Sequence, residues 1–199
     1  DKYPTLKIIG FDWDKEAIEQ GQVLVEKYEG RLELIWGSFA HLYKLLKKHK
    51  ITHVDGILAD FGTSQNQIKM GNGFSLYNDT PLDMRMSQSH YKLTAAQLVN
   101  YGKAEELRQI FWQYGEERHS RRIAKAIKKE LEHAPINSTK KLAEIVATAH
   151  PAWERHKHPA TRSFQAIRIA VNQELDDIRG FLPQALTALK PQGKLAVIS

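Results

Sequence analysis

The stretch ILADFGTSQNQ (57–67) runs through apolar residues to Asp60 and then turns abruptly to Gly, Thr, Ser, Asn and Gln. A strand that ends on a carboxylate and opens into small polar residues is an ordinary turn or the rim of a binding site. Its neighbours set the context. LKIIGF (6–11) is a short apolar run, DKEAIEQGQVLVEKY (14–28) has apolar residues at helical spacing, and RLELIW (31–36) alternates as a strand does. SFAHLYKLLKKH (38–49) returns to helical period through Phe39, Leu42, Leu45 and Leu46. Strand, helix, strand, helix, strand is the pattern of a parallel sheet with crossover helices. The first third therefore predicts one edge of a doubly wound α/β domain.

After Phe61 the alternation stops. MGNGFSLYNDTPLDMRM (70–86) has the composition of an ordered loop, and TAAQLVNY, AEELRQIFWQY, ERHSRRIAKAIKKEL and STKKLAEIVATA read as consecutive helices. ATRSFQAIRIAVNQELDDIRGFLPQALTAL (160–189) predicts one long amphipathic helix, followed by a PQG turn and a strand, KLAVIS (194–199). The expected organisation is an α/β core of residues 1–84 and 165–199 with a helical insertion, 85–164, between two strands of its sheet. The chain opens at what reads as the second strand of such a domain and stops at a strand end, so flanking residues are expected outside these 199.

Composition narrows the class. Hydrophobic residues make up 42% and charged ones 26%, as in a soluble globular protein, and no stretch has the length of a membrane helix. Nothing resembles a signal peptide, and the absence of cysteine rules out disulfides and thiolate metal sites. An intracellular protein is expected. Twenty-nine Lys and Arg against 23 Asp and Glu, a formal charge of +6, suit a polyanionic partner such as nucleic acid.

Three strand ends carry side chains suited to a ligand. Asp12, in FDWD, follows the first strand; there an acid can accept hydrogen bonds from adenosine ribose hydroxyls, or cap the next helix. Asp14 is the better cap, which leaves Asp12 freer. Phe39 shares a helical face with Leu42, Leu45 and Leu46, favouring a core position over stacking on adenine. Asp60 ends the third strand. All three fall along the carboxyl edge, where open α/β sheets bind ligands.

Two helices carry further patterns. Phe164, Ile167, Val171, Leu175, Ile178 and Leu182 form an apolar stripe, with Thr161, Gln165, Arg168 and Asn172 in a second stripe beside it. Those polar residues favour a buried network or a substrate-facing site over plain surface. Arg118, Arg122, Lys125 and Lys129 share one face of another helix, opposite Ile123, Ile127 and Leu131. A solvated basic face is the default; a track for RNA phosphates, helped by Trp112 and Tyr114, is the sharper alternative. The histidines of HKHPATR (156–162) have no thiolate or carboxylate at ligand spacing, so no metal is expected.

DGILADFGTSQNQI (55–68), GFSLYNDTPLDMRM (73–86), YGEERHSRRIAKAI (114–127) and HPATRSFQAIRIAVNQEL (158–175) together resemble the S-adenosylmethionine-dependent small-subunit rRNA cytosine methyltransferases of the MraW type, also called RsmH. The resemblance runs in order over essentially the whole chain. It implies a Rossmann-like methyltransferase core with a helical substrate-recognition insert. It also implies methyl transfer from S-adenosyl-L-methionine to the exocyclic N4 amine of a cytidine. By position it places Asp12, Phe39, Asp60 and Gln67 at the cofactor, with Asp60 also at the amine, and Asp83, Arg85, Arg162, Gln165, Arg168 and Asn172 on the RNA side. ADFGTSQNQ departs from the family's more usual LDLGVSSPQ. The family's glycine-rich first loop and its Phe-His-Ser-Leu-Glu-Asp segment have no counterpart in these residues. The implied partner is small-subunit rRNA or the assembling subunit, in the cytoplasm or, for an organellar homologue, the mitochondrion, with a homodimer as one open arrangement. The rival readings are an RNA-binding relic of the same family and a nicotinamide-dinucleotide oxidoreductase.

Overall fold

The structure, a computed structural model, describes residues 3–62, 73–151 and 158–198. Its elements run β1 (Ile8–Asp12), α1 (Lys15–Lys27), β2 (Leu32–Trp36), a 3-10 turn (Phe39–His41), α2 (Leu42–Lys48) and β3 (Val54–Asp60). They continue with α3 (Ala95–Tyr101), α4 (Ala104–Gly115), α5 (Ser120–Glu130), α6 (Thr139–Ala149), α7 (Thr161–Val171), α8 (Glu174–Ala188) and β4 (Leu189–Ile198). Two compact units result, residues 1–62 with 175–199 and residues 63–174. The helical unit thus extends past the expected 85–164 at both ends, because Leu82, Met84, Ile167 and Val171 are buried in its core.

In the α/β unit, β1 pairs with β2 and β3 with β4, both in parallel. The described strands therefore form two pairs rather than one continuous sheet. The chain inserted between β3 and β4 separates two neighbouring strands. Gly21 lets α1 lie close on β2, since a Cβ there would stand 2.3 Å from Leu34 Cδ1. Leu42, Leu46, Phe181, Ala185 and Ala188 form the core, and Phe11, Phe39, Ile57, Phe61 and Leu195 pack against it from both strand pairs. Gln184 of α8 fastens the start of α2, accepting from Tyr43 N–H at 2.9 Å and donating to the Ala40 carbonyl at 2.7 Å. The run VDGILADF reads as apolar throughout, yet Leu58 is 71% exposed while Ile57 and Ala59 face the core. β4 starts earlier than KLAVIS: Leu189 pairs with Val54, and a bulge through Gln192 (φ 68°) precedes the register that resumes at Lys194 opposite Gly56.

The helical unit is built around Leu107, Phe111, Ile123, Ile127, Leu142 and Ile167, all essentially inaccessible to water. α4 and α7 meet at Gly115, where a Cβ would come within 2.4 Å of the Arg162 carbonyl oxygen. Glycine is required there by backbone proximity.

The long helix expected over 160–189 is two helices. α7 ends at Val171, Gln173 takes a left-handed φ of 49°, and α8 starts at Glu174. One left-handed residue resets the helical phase, so the predicted stripe does not continue. Phe164, Ile167 and Val171 serve the helical core, whereas Phe181, Ala185 and Ala188 serve the α/β core, leaving Leu175 and Leu182 at 36% and 38% exposure.

Asn172, at the break, is completely buried. Its Nδ2 donates to the Met84 carbonyl at 2.7 Å and the Arg168 carbonyl at 2.9 Å, and its Oδ1 accepts from Met86 N–H at 2.7 Å. Asn172→Ala removes these bonds and leaves the Met84 carbonyl and Met86 N–H without this partner. It should cost roughly 2–4 kcal/mol of stability in urea unfolding, against less than about 0.5 kcal/mol for Gln165→Ala on the exposed side of α7. Equal losses for the two variants would show that the clamp does not hold the loop.

Candidate functional site

Asp12 is the last residue of β1. The helix cap falls to Asp14, whose Oδ1 accepts from Glu16 N–H at 3.0 Å. Asp12 Oδ1 accepts from Asp14 N–H at 2.9 Å, and its carbonyl accepts from Gly37 N–H at 2.9 Å, tying the end of β1 to the turn after β2. The residue is exposed, yet desolvation by its surroundings pushes its carboxyl above the ordinary value; the neighbouring Asp14 charge adds to this, and the backbone bonds oppose it.

Phe39 follows β2 at the start of the 3-10 turn, where Ser38 accepts from Ala40 N–H. Its ring lies 5.3 Å from Phe61 and 5.6 Å, edge-on, from Phe181. It is half-buried in this aromatic group rather than standing as an open platform, as its shared face with Leu42 suggests. Asp60 is exposed at the end of β3, one residue before Phe61. Phe11, Phe39 and Phe61 all pack on the same core, so the ends of β1, β2 and β3 converge there, with Asp12 and Asp60 at solvent beside it. Gln67 lies outside the described residues.

In the helical unit, the loop containing PLDMRM is fixed at two places. Toward its start, Thr139 Oγ1 donates to the Asn78 carbonyl at 2.6 Å and accepts from Thr80 N–H at 3.1 Å, while Leu82 N–H donates to the Asn137 carbonyl at 2.9 Å. Further on, the Leu82 and Asp83 carbonyls accept from Ala96 and Ala95 N–H, both at 2.7 Å, which closes the loop onto the start of α3. Met84, at φ 60° and 1% exposure, is turned inward. Asp83 and Arg85 then face each other as a two-pronged pair, Nε to Oδ1 at 2.7 Å and Nη2 to Oδ2 at 2.8 Å. Burial pushes the Asp83 carboxyl up, but the hydrogen bonds and charge of Arg85 outweigh it and hold the group below the usual carboxylate range.

The polar stripe of α7 is mostly internal. Arg168 makes a two-pronged pair with Glu174, at 2.8 and 3.0 Å. Thr161 Oγ1 donates to the His158 carbonyl, Arg162 is half-buried and Gln165 alone in the stripe is exposed. Thr161 and Arg168 are partly buried, and Asn172 alone in the stripe is fully buried. His158 Nδ1 accepts from Ala160 N–H at 3.1 Å, a turn-stabilising role, and His156 lies outside the described residues. On α5, Arg118 just before it, Arg122, Lys125 and Lys129 are exposed and Ile123 and Ile127 buried; Trp112 is 55% exposed while Tyr114 packs on the core.

The sequence reading did not single out Glu117, His119 and His150. One ligand atom from each lies within 4.8 Å of the others. Two of the three come from separate helix ends, so no local spacing reveals them. No described helix is long and apolar enough to cross a membrane.

This α/β unit with an acidic strand edge and an appended helical unit matches a known pattern of sequence. Residues 1–199 match the MraW methylase family, and the chain belongs to that family. It is 50% identical over 194 residues to "Ribosomal RNA small subunit methyltransferase H" of Acinetobacter baumannii (strain SDF) and of Acinetobacter baylyi, covering 97% of this chain and 62% of each relative. The protein of the same name from Magnetococcus marinus is 44% identical over 197 residues, covering 98% of this chain and 63% of the relative. The chain thus spans less than two thirds of the length of these curated relatives. Nothing in these matches supports a nicotinamide-dinucleotide enzyme or a non-catalytic relic.

The Asp83–Arg85 pair has a defined pH signature. A carboxylate held below its unfolded value of about 4 contributes in full above that pH and loses its contribution as pH falls through the lower folded value. Asp83→Asn should therefore cost roughly 1–3 kcal/mol near neutrality, with the gap from the parent chain closing below about pH 4. Urea unfolding from neutral pH into this acid range measures it; a gap independent of pH would assign the loss to shape rather than charge.

Proposed function

We propose that this chain performs the methyl transfer of its family, from S-adenosyl-L-methionine to the exocyclic N4 amine of a cytidine in small-subunit rRNA. The observation that carries the reading is the convergence of the β1, β2 and β3 ends on one aromatic core, with Asp12 and Asp60 exposed beside it, in a chain matched end to end by the family. The relatives named ribosomal RNA small subunit methyltransferase H support the rRNA substrate.

The residues fit the cofactor. Asp12 is not consumed as a helix cap, and its carboxylate can accept from two ribose hydroxyls. The half-buried ring of Phe39 supplies an apolar neighbour for adenine. When bound, S-adenosyl-L-methionine supplies a methyl carbon activated by the adjacent sulfonium.

The cytidine amine is a poor nucleophile because its lone pair is delocalised into the ring. Asp60 accepts a hydrogen bond from the amine, orienting the nitrogen and stabilising positive charge as it pyramidalises. The helical unit, including residues 85–164, supplies RNA recognition. Asp83, Arg85, Arg162, Gln165 and Arg168 shape that surface, and Asn172 acts from beneath by holding the loop. The exposed basic face of α5 engages phosphates. A target base must leave its stack to reach the acidic edge.

Tests belong in the protein with its native flanks. Asp60→Ala should lower transfer of labelled methyl into small-subunit rRNA by roughly 10²-fold or more, with S-adenosyl-L-methionine affinity changed much less; undiminished transfer would overturn the assignment. Asp12→Asn should instead weaken cofactor binding, by roughly tenfold on loss of a charge-assisted pair of bonds. Because desolvation raises the Asp12 carboxyl, parental affinity should decline in acid, beginning at a higher pH than an ordinary aspartate would give. Calorimetry from neutral pH into acid should show the decline in the parent and its absence in Asp12→Asn.

A further inference from the structure

Glu117 occupies the corner between α4 and α5, and its side chain is completely buried. One of its oxygens is explained: Oε1 accepts from His119 N–H at 2.8 Å and so caps the start of α5, which has no capping side chain at its own N-cap position. The other, Oε2, has no hydrogen-bond partner among the described residues. A buried carboxylate left half-satisfied is costly unless a positive charge stands beside it.

The groups beside it are two imidazoles. His150 sits at the C-terminal end of α6, its side chain 8% exposed, with Nε2 3.7 Å from Glu117 Oε1. That separation is too long for a hydrogen bond, and His150 Nδ1 likewise has no partner among the described residues. The His119 ring stands 4.8 Å from the His150 ring at an interplanar angle of 82°. A carboxylate oxygen and one ring nitrogen from each histidine fall within 4.8 Å of one another. An ion bonded at about 2.0–2.1 Å to each would bring such donors to about 3.3 Å apart, which rotation of the two imidazoles can supply.

We propose that Glu117, His119 and His150 form a binding site for a divalent first-row transition ion of the zinc type. Two imidazoles and a carboxylate are a borderline donor set that suits zinc and excludes the hard, all-oxygen preference of magnesium or calcium. Three protein donors leave at least one coordination position open. The His119 backbone N–H holds the carboxylate by its other oxygen, orienting it toward the ion. An ion there would join the end of α6 to the corner between α4 and α5, all within the helical unit, whereas Asp12 and Asp60 belong to the α/β unit. It does not depend on the methyl-transfer reading.

The probe is Co²⁺, titrated into the metal-stripped chain and followed by its visible d–d absorption, then displaced by Zn²⁺. The parent chain should bind one equivalent, give the intense spectrum of a low-coordinate nitrogen–oxygen site, and melt at higher temperature with Zn²⁺ present. His119→Gln, at a half-buried position, should weaken binding by roughly 100-fold while circular dichroism remains that of the parent. Glu117→Gln and His150→Gln should do the same, and His158→Gln should change nothing. Failure of the parent chain to take up a stoichiometric ion overturns the proposal whether or not any variant folds. So does binding that survives His119→Gln, or that is lost with His158→Gln alone.

Discussion

A single buried amide, Asn172, sets the conformation on which the helical unit's distinctive loop depends. It ends α7, and its donor and acceptor atoms are taken up by Met84, Met86 and Arg168. With Met84 drawn inward against it, Asp83 and Arg85 are left flanking an anchored residue, and their pair adopts fixed geometry instead of fluctuating at the surface. The same short segment offers its Leu82 and Asp83 carbonyls to the start of α3. An amide is suited to this position because it presents donor and acceptor together; a carboxylate could accept from Met86 but could not donate to Met84. The loop's order is therefore borrowed from a helix far along the chain.

That dependence explains what was legible in the sequence and what was not. Periodicity located β1, β2, β3 and the helices from α1 to α6, because each buries one face and the burial writes itself into the spacing of apolar residues. The break between α7 and α8 left no such mark. No glycine or proline stands at 172–173, and the apolar spacing continues through Leu175, Ile178 and Leu182 as if one helix served one core. In fact Val171 and Phe181 belong to different cores, and the left-handed Gln173 changes the phase between them. Side-chain hydrogen bonding decided the geometry where hydrophobic pattern alone was silent.

The candidate site divides in the same manner. The strand-end positions of Asp12 and Asp60 could be read in advance because a parallel strand ends where its carboxyl edge begins, and the cap fell to Asp14, two residues on from Asp12. Phe39 was ambiguous because helical spacing toward Leu42 and Leu46 describes both a core residue and a ring at the sheet edge; its packing on Phe61 and Phe181 shows that one residue is partly both. Glu117 and His150 were illegible for a plainer reason. They meet only because α6 folds back toward the α4–α5 corner, and no local pattern encodes that approach.

Charge is sorted between the two units in a way that matters for the proposed reaction. The exposed side of α5 carries Arg118, Arg122, Lys125 and Lys129, directed outward because Ile123 and Ile127 are buried on the opposite side. The carboxyl edge of the α/β unit instead exposes Asp12 and Asp60. Phosphates are attracted to the first surface and repelled by the second, whereas a sulfonium cation has the opposite preference. The α5 face is thus suited to an anion and the edge carrying Asp12 and Asp60 to a cation.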